Sequence, residues 1–164
     1  MSLRVLLVDD GMADRLAVSR ALARDPDMQW EVVPVSSAED ALAYLSANPV
    51  DAMLVDYHLP GMNGVSLLQK LSALGLPQVP AVVVLTGSGN ERVAVDAMKA
   101  GAQDYLVKEA FSPERLRRSL RAAVETMRMT RELEERRCAP SAPRPPPARP
   151  WPCATSSSRW RRTT

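Results

Sequence analysis

The sequence predicts an α/β fold in which helices cover both faces of a parallel sheet. Short runs of β-branched or aliphatic residues alternate with segments of helical periodicity, which is typical of repeated β-α units. Two of the runs, Leu6–Val8 and Val82–Leu85, are apolar at every position, as strands that are buried on both faces must be. Right-handed crossovers between five such strands give a doubly wound sandwich with five helices.

Each predicted strand is a short apolar run, and the helical segments between the strands have recognisable ends. Ser37, with Asp40 three residues later, is a capping-box variant that opens the second helix. Gly101 stands where a left-handed C-cap would end the fourth helix, and Ser112 is the expected N-cap of the last. The predicted strands are Val5–Val8, Val32–Val35, Ala52–Val55, Ala81–Leu85 and Tyr105–Val107, and the predicted helices are Ala13–Arg24, Ala38–Ala47, Val65–Leu74, Asn90–Ala100 and Pro113–Arg137.

The composition changes abruptly at residue 138. Residues 138–164 hold five of the 21 basic residues and none of the 19 acidic ones, so residues 1–137 carry a net charge of −3. This Pro/Arg/Ser-rich tail lacks the aliphatic residues that a core needs, and we expect it to be disordered. Its three consecutive prolines would also suit an extended ligand for a partner. We favour the hypothesis that the tail is out-of-frame translation, because a charged helical pattern stops where it begins.

Several classes of protein are excluded. The longest apolar runs are too short for a membrane span, and the N-terminus is too short and too soon acidic for a signal peptide. Residues 1–137 contain no cysteine, so this part has neither a disulfide framework nor a Cys-ligated metal site. We expect a cytoplasmic protein.

Polar residues of particular types follow the predicted strands. Asp9 and Asp10 follow the first strand, Asp56 the third, Thr86 the fourth and Lys108 the fifth. Ligands of such sheets bind at the carboxyl ends of the strands, so these side chains are expected to converge. Oxygen ligands in an incomplete shell suit Mg²⁺. A carboxylate beside Mg²⁺ can act as the nucleophile in phosphoryl transfer, supported by the ammonium and the hydroxyl.

Four motifs together resemble the receiver domains of two-component response regulators, over residues 3–128. The resemblance implies a flavodoxin-like fold with strand order 2-1-3-4-5. It divides the chain into a receiver domain at 1–128, a linker-like extension of the last helix at 129–137 and the tail at 138–164. The motifs are Val5–Asp10, Val55–Gly64, Leu85–Gly87 and Gly101–Lys108.

The resemblance also implies roles for the site residues. Asp56 would take a phosphoryl group from the phosphohistidine of a histidine kinase or a histidine phosphotransfer protein. Asp10 would ligate Mg²⁺ directly, together with Asp56 and the backbone carbonyl of His58. Asp9 would mainly hold in place the groups that bind the metal. Beyond this self-phosphotransfer and its own dephosphorylation, no enzyme activity is expected.

The same resemblance implies a switch. Lys108 would bind the phosphoryl oxygens, Thr86 would turn its hydroxyl toward them, and Tyr105 would swing inward behind Thr86. A surface formed by the fourth helix, fifth strand and fifth helix would then be read by a downstream protein or by a missing output domain. A homodimer through that surface or through the extended last helix is a further expectation.

The sequence departs from the family pattern at three places. Glu109 replaces the proline that often follows the site lysine in a cis peptide, so we expect a trans bond there. Gly11 stands where an acidic residue or Asn often follows the aspartate pair. His58 and Ser88 flank the route of an attacking water and are expected to tune the lifetime of the phosphate.

Two other functions would fit the same residues. One rival is a Mg²⁺-dependent phosphatase with an aspartyl-phosphate intermediate, but its general acid would have to be His58. The other rival is a pseudo-receiver that only binds proteins.

Acidic residues interleave with the arginines of the last helix, which favours a solvated face over direct nucleic-acid binding. No membrane partner is expected either.

Overall fold

The computed structural model describes residues 2–87, 90–110 and 112–138. Ser88 and residues 139–164 of the predicted tail lie outside the described residues, so the roles expected of them stay predictions. Strands and helices alternate along the described chain: β1 (Ser2–Val8), α1 (Met12–Ala23), β2 (Gln29–Val35), α2 (Ala38–Ala47), β3 (Ala52–Asp56), α3 (Gly64–Ala73), β4 (Ala81–Thr86), α4 (Glu91–Lys99), β5 (Asp104–Val107) and α5 (Pro113–Cys138).

The five strands form one parallel sheet in the order β2-β1-β3-β4-β5, which confirms the predicted fold class. Because successive side chains of a strand point to opposite faces, each strand contributes to two separate cores. One core lies under α2, α3 and α4, and the other lies under α1 and α5. The central strands β3 and β4 are buried along their whole length, as the unbroken apolar runs predicted.

Strands β1 and β2 begin three residues earlier than their apolar runs predicted. The polar residues Arg4 and Glu31 precede those runs, but they are register partners across the two strands and form an ion pair of 3.2 Å. Oppositely charged cross-strand neighbours stabilise strand pairing. Trp30 is 8% exposed and packs into the core under α1 and α5. This packing on one face of the sheet also stabilises the first residues of β2.

The helix ends largely follow the predicted capping signals. The Ser37 hydroxyl accepts a hydrogen bond from the N–H three residues later at 3.1 Å, and Ser112 does the same at 3.2 Å. Gly101 has a φ of 104°, as a left-handed C-cap requires. Asn90, predicted as the first residue of the fourth helix, is instead its N-cap, because its side chain accepts from the backbone of the second helical residue.

Helix α5 packs on the sheet for only part of its length. Leu116, Leu120 and Ala123 are buried, whereas Met129 and Leu133 are 55% and 60% exposed. The helix ends at Cys138, one residue beyond the predicted end, so the first residue of the predicted tail is helical. Among the described residues, no helix is long and apolar enough to cross a membrane.

A buried carboxylate ties the α1–β2 turn to α5. The side chain of Asp25 is 0% exposed and accepts hydrogen bonds from Trp30 Nε1 at 2.7 Å, from the Asp27 amide at 3.1 Å and from Arg121. Burial alone would raise the pKa of Asp25, but these three donors outweigh burial and lower it below its usual value.

Asp25 is therefore expected to make stability depend on acid pH. Because its folded-state pKa lies below its unfolded value, its contribution is present above about pH 4 and is lost as the pH falls through the folded pKa. Asp25→Asn should lower the urea midpoint at neutral pH, and the difference from wild type should shrink toward about pH 3. Asp96→Asn, which removes an exposed carboxylate of α4, is the matched control. A pH-independent difference would contradict the assignment.

Candidate functional site

The carboxyl ends of β1, β3, β4 and β5 lie side by side. Asp56 is the last residue of β3 and pairs in register with Leu85, and Thr86 is the last residue of β4 and pairs with Val107. The strands therefore end at nearly the same level, and the polar residue at or just after each end lies at the same edge of the sheet. The sequence prediction that these residues converge is confirmed for Asp9, Asp10 and Asp56.

Lys108 lies at the centre of this cluster. Its Nζ is 2.6 Å from Asp9 Oδ2, 2.9 Å from Asp56 Oδ2 and 2.9 Å from Asp14 Oδ2. An ammonium group has three N–H donors, and the three carboxylates account for all of them. Burial alone would lower the pKa of Lys108, but the three carboxylates outweigh burial and raise it well above its usual range. Lys108 is therefore a permanent cation.

Among Asp9, Asp10 and Asp56, Asp9 is the most buried, at 1% exposed. Its Oδ2 accepts from Lys108, and its Oδ1 accepts from the Gly11 amide at 2.8 Å. Burial raises the pKa of Asp9, although the Lys108 ammonium and the Gly11 amide act in the opposite direction. Both oxygens of Asp9 thus accept hydrogen bonds from the protein, which fits a residue that holds in place the groups that bind a metal.

The oxygen atoms of Asp9, Asp10 and Asp56 can hold a cation together. One carboxylate oxygen from each lies within 4.8 Å of the others. Asp10 is exposed, and Asp56 is 6% exposed with Oδ1 accepting the His58 amide at 3.1 Å. Carboxylate oxygens are the donors that hard divalent cations prefer, so the donor set fits Mg²⁺. The His58 peptide adjoins the cluster, and the metal role of its carbonyl stays a prediction.

Thr86 and Tyr105 lie at different depths of the same edge. Thr86 is 1% exposed, and its carbonyl accepts the Lys108 amide at 2.7 Å. The Tyr57 amide donates to the Leu85 carbonyl at 2.7 Å, so the segments after β3 and β5 are both tied to the end of β4. Tyr105 is half-buried and pairs with Val84, two residues before Thr86. The switch roles of Thr86 and Tyr105 stay predictions.

Asp14 is a site residue that sequence reasoning missed. It follows Asp10 by four residues in the first turn of α1, so the helix directs it back toward the strand ends. The signal that could have identified it is an acidic residue in the first turn of the helix that directly follows the aspartate pair. Gly11 adjoins it: a Cβ at Gly11 would lie 3.3 Å from Asp14 Oδ2 and 3.2 Å from Asp9 Oδ1.

Gly64 holds the loop after β3 against the site. The Gly64 amide donates to the Tyr57 carbonyl at 2.9 Å, and a Cβ at Gly64 would lie 2.8 Å from the Asp56 carbonyl oxygen. Because that contact is with backbone, it cannot be relieved by a side-chain rotation, and only glycine fits. The described residues include no cis peptide bond, so the bond between Lys108 and Glu109 is trans, as expected.

The balance of charge defines what the site can do. Asp9, Asp14 and Asp56 contact the Lys108 ammonium, Asp10 lies beside two of them, and the Arg15 guanidinium donates to the Asp9 backbone carbonyl at 2.6 Å. Four carboxylates therefore face two cations, so negative charge is in excess and a divalent cation would relieve it. Asp56 offers a carboxylate at the end of a rigid strand, next to a fixed cation. This arrangement suits nucleophilic attack by the carboxylate on an electrophile that bears negative charge.

Residues 5–121 match the family described as response regulator receiver domain. Among curated proteins, the chain is 36% identical over 138 residues to the C4-dicarboxylate transport transcriptional regulatory protein DctD of Rhizobium meliloti (strain 1021), covering 84% of this chain and 29% of that protein. It is 30% identical over 135 residues to the cyclic di-GMP phosphodiesterase response regulator RpfG of Xanthomonas campestris pv. campestris (strain 8004), covering 82% of this chain and 34% of that protein. The chain thus spans about a third or less of the length of these relatives.

Solved structures show the same fold. The CheY-like response regulator receiver domain protein from Methanospirillum hungatei JF-1 superposes with a TM-score of 0.68 at 25% identity, covering 79% of this chain and 99% of that one. NtrX from Brucella abortus superposes with a TM-score of 0.72 at 29% identity, covering 84% of this chain and 30% of that one.

Proposed function

This chain belongs to the response regulator receiver domain family of two-component systems, and from that premise we propose that Asp56 accepts a phosphoryl group from a phosphohistidine. The observation that carries the proposal is the contact of Asp56 Oδ2 with Lys108 Nζ at 2.9 Å, beside two further clustered carboxylates. The acceptor and the cation that would bind the transferred group are thus already adjacent.

The proposed reaction is a simple exchange of bonds at phosphorus. An Asp56 carboxylate oxygen forms a bond to phosphorus, the P–N bond to the donor imidazole breaks, and the nitrogen leaves with the electron pair. Asp56 Oδ1 is held by the His58 amide and Oδ2 by Lys108, so the carboxylate is oriented before the donor arrives. Lys108 then stabilises the negative charge on the phosphoryl oxygens.

The chemistry of the donor set supports Mg²⁺ as the cation of this site. Asp10 is the exposed carboxylate and would ligate the ion directly, with Asp56 and the His58 carbonyl, while Asp9 would hold the surrounding groups. When bound, the ion would neutralise charge on the carboxylates and on the phosphoryl oxygens.

Mg²⁺ is expected to stabilise the folded chain. At a hundred times its Kd, a ligand of the folded state adds about 2.7 kcal/mol, which should raise Tm by several degrees. Asp10→Asn should be more stable than wild type without Mg²⁺, because it lowers the repulsion between carboxylates, and should lose most of the Mg²⁺-dependent shift. Thermal melts with Mg²⁺ and with chelator test this, with Asp40→Asn as the matched control. An equal shift in Asp10→Asn would contradict the assignment.

Phosphorylation would be read as a change of surface. Thr86 and Tyr105 are the proposed moving parts: Thr86 turns its hydroxyl toward the phosphoryl group, and Tyr105 fills the space behind it. Tyr105 lies on β5, beside α4, whose Val95 and Met98 side chains are each 50% exposed. Such exposed apolar groups support the surface of α4, β5 and α5 as the contact for a downstream protein or an output domain.

The proposed partners follow from the same reading. The phosphodonor is a histidine kinase or a histidine phosphotransfer protein, which places the chain in the cytoplasm where ATP supplies phosphoryl groups. Residues 1–128 act as the receiver and residues 129–137 as a helical connection, whose exposed Met129 and Leu133 support pairing with a second copy or with a partner helix.

Labelling with acetyl phosphate and Mg²⁺ tests the proposed function. We expect one phosphoryl group per chain by intact mass, released by hydroxylamine as an acyl phosphate is. A chain that stays unlabelled would be a pseudo-receiver that only binds proteins. Sustained turnover of a phosphate monoester would instead identify a phosphatase.

A further inference from the structure

Asp14 contacts Lys108 but has no part in the phosphotransfer proposed above. Its Oδ2 lies 2.9 Å from Nζ, the same distance as Asp56 Oδ2. The Asp14 side chain is 53% exposed, whereas the Asp56 side chain is 8% exposed. Asp14 therefore lies on the solvent side of the ammonium group, from which a phosphodonor approaches.

Gly11 adjoins the Asp14 carboxylate. A Cβ at residue 11 would lie 3.3 Å from Asp14 Oδ2 and 3.2 Å from Asp9 Oδ1, closer than ordinary van der Waals contact. The Gly11 backbone has φ −78° and ψ 114°, a conformation open to any residue. A side chain here would therefore cause crowding and not backbone strain, and the Asp14 carboxylate would have to shift by a few tenths of an ångström to accommodate it.

We propose that Asp14 is a positioning residue that occupies Lys108 before phosphorylation and repels the incoming phosphoryl group, so that it slows the labelling of Asp56. This inference rests on the proposed function. All three donors of the ammonium are engaged by carboxylates, so one contact must break before Lys108 can bind a phosphoryl oxygen. The contact with the most exposed carboxylate, Asp14, is the easiest for water to replace.

The test compares phosphodonors of different charge. With Mg²⁺ at saturation, Asp14→Asn should label roughly fivefold faster than wild type with acetyl phosphate, a dianion, because one nearby carboxylate charge is removed. The gain should be smaller with phosphoramidate, which carries less negative charge at neutral pH. Because Asp14 is half exposed, the gain should also shrink at high salt. A residue that only supported the fold would show neither dependence.

Three further variants separate charge from shape. Asp14→Glu keeps the charge and should label within twofold of wild type. Asp14→Ala removes the charge and the shape together and should label like Asp14→Asn. Asp40→Asn removes an exposed carboxylate from α2, outside the cluster, and should leave the rate unchanged.

A measurement without Mg²⁺ or a donor tests the contact itself. Urea unfolding is measured for Asp14→Asn, Lys108→Met and the double variant, as a double-mutant cycle. The effects of the two changes on the free energy of unfolding should be non-additive. With Lys108 present, Asp14 attracts its ammonium group, whereas in Lys108→Met it only repels the other carboxylates. If wild type is labelled, two results would overturn the inference. One is additive effects in the cycle, and the other is a labelling rate of Asp14→Asn that is unchanged or slower. Failure of wild type to label would overturn the proposed function and this inference with it.

Discussion

Asp56→Asn is expected to abolish phosphorylation by acetyl phosphate while the fold is retained. The amide cannot form the acyl phosphate, and the other clustered carboxylates are poorly suited to replace it. Asp9 is 1% exposed with both oxygens engaged, and Asp10 is the proposed metal ligand. Intact mass after incubation with acetyl phosphate and Mg²⁺ should show no added phosphoryl group.

The matched control for this variant is Asp40→Asn, which makes the same chemical change on the exposed face of α2. It should label like wild type. Circular dichroism and a urea midpoint should show that Asp56→Asn is folded, because its side chain can still accept the His58 amide that Asp56 Oδ1 accepts. Labelling of Asp56→Asn at the wild-type rate would assign the phosphoacceptor to another carboxylate.

The residues of the site could be predicted because parallel strands bring their carboxyl ends together. Asp9, Asp56 and Lys108 each adjoin a strand that is readable as an apolar run, so topology alone made them neighbours. Asp14 is different, because it stands in a helix and its side chain reaches Lys108 from the first helical turn. Linear strand patterns carry no signal for a contact of that kind.

The same distinction explains the errors in the fold. The early residues of β1 and β2 include Arg4 and Glu31, whose mutual pairing is visible only once the strand register is known. The contact of Asp25 with α5 also depends on tertiary structure, since Arg121 is 96 residues away in sequence. Local capping signals such as Ser37 and Ser112 could be read, because both partners lie within one turn.

Lys108→Met is expected to be the most destabilising change at the site. It removes the one ammonium group that contacts Asp9, Asp14 and Asp56, and it leaves Asp9 enclosed without that cation. Removing one partner of a buried pair costs 3–5 kcal/mol, and because Lys108 is 16% exposed we expect about 2–3 kcal/mol. Urea unfolding without Mg²⁺ measures this loss. Lys70→Met, at an exposed position of α3, is the matched control and should change little.

The pH dependence of this variant distinguishes loss of charge from loss of packing. The pKa of Asp9 is already raised by burial, and without Lys108 it should rise further. A carboxyl whose folded-state pKa is raised contributes most stability when protonated and loses that contribution as the pH rises through the folded pKa. The deficit of Lys108→Met against wild type should therefore shrink as the pH is lowered from neutral through the raised pKa of Asp9. A deficit independent of pH would mean that Lys108 acts through packing, and it would remove the electrostatic basis for binding a phosphoryl group.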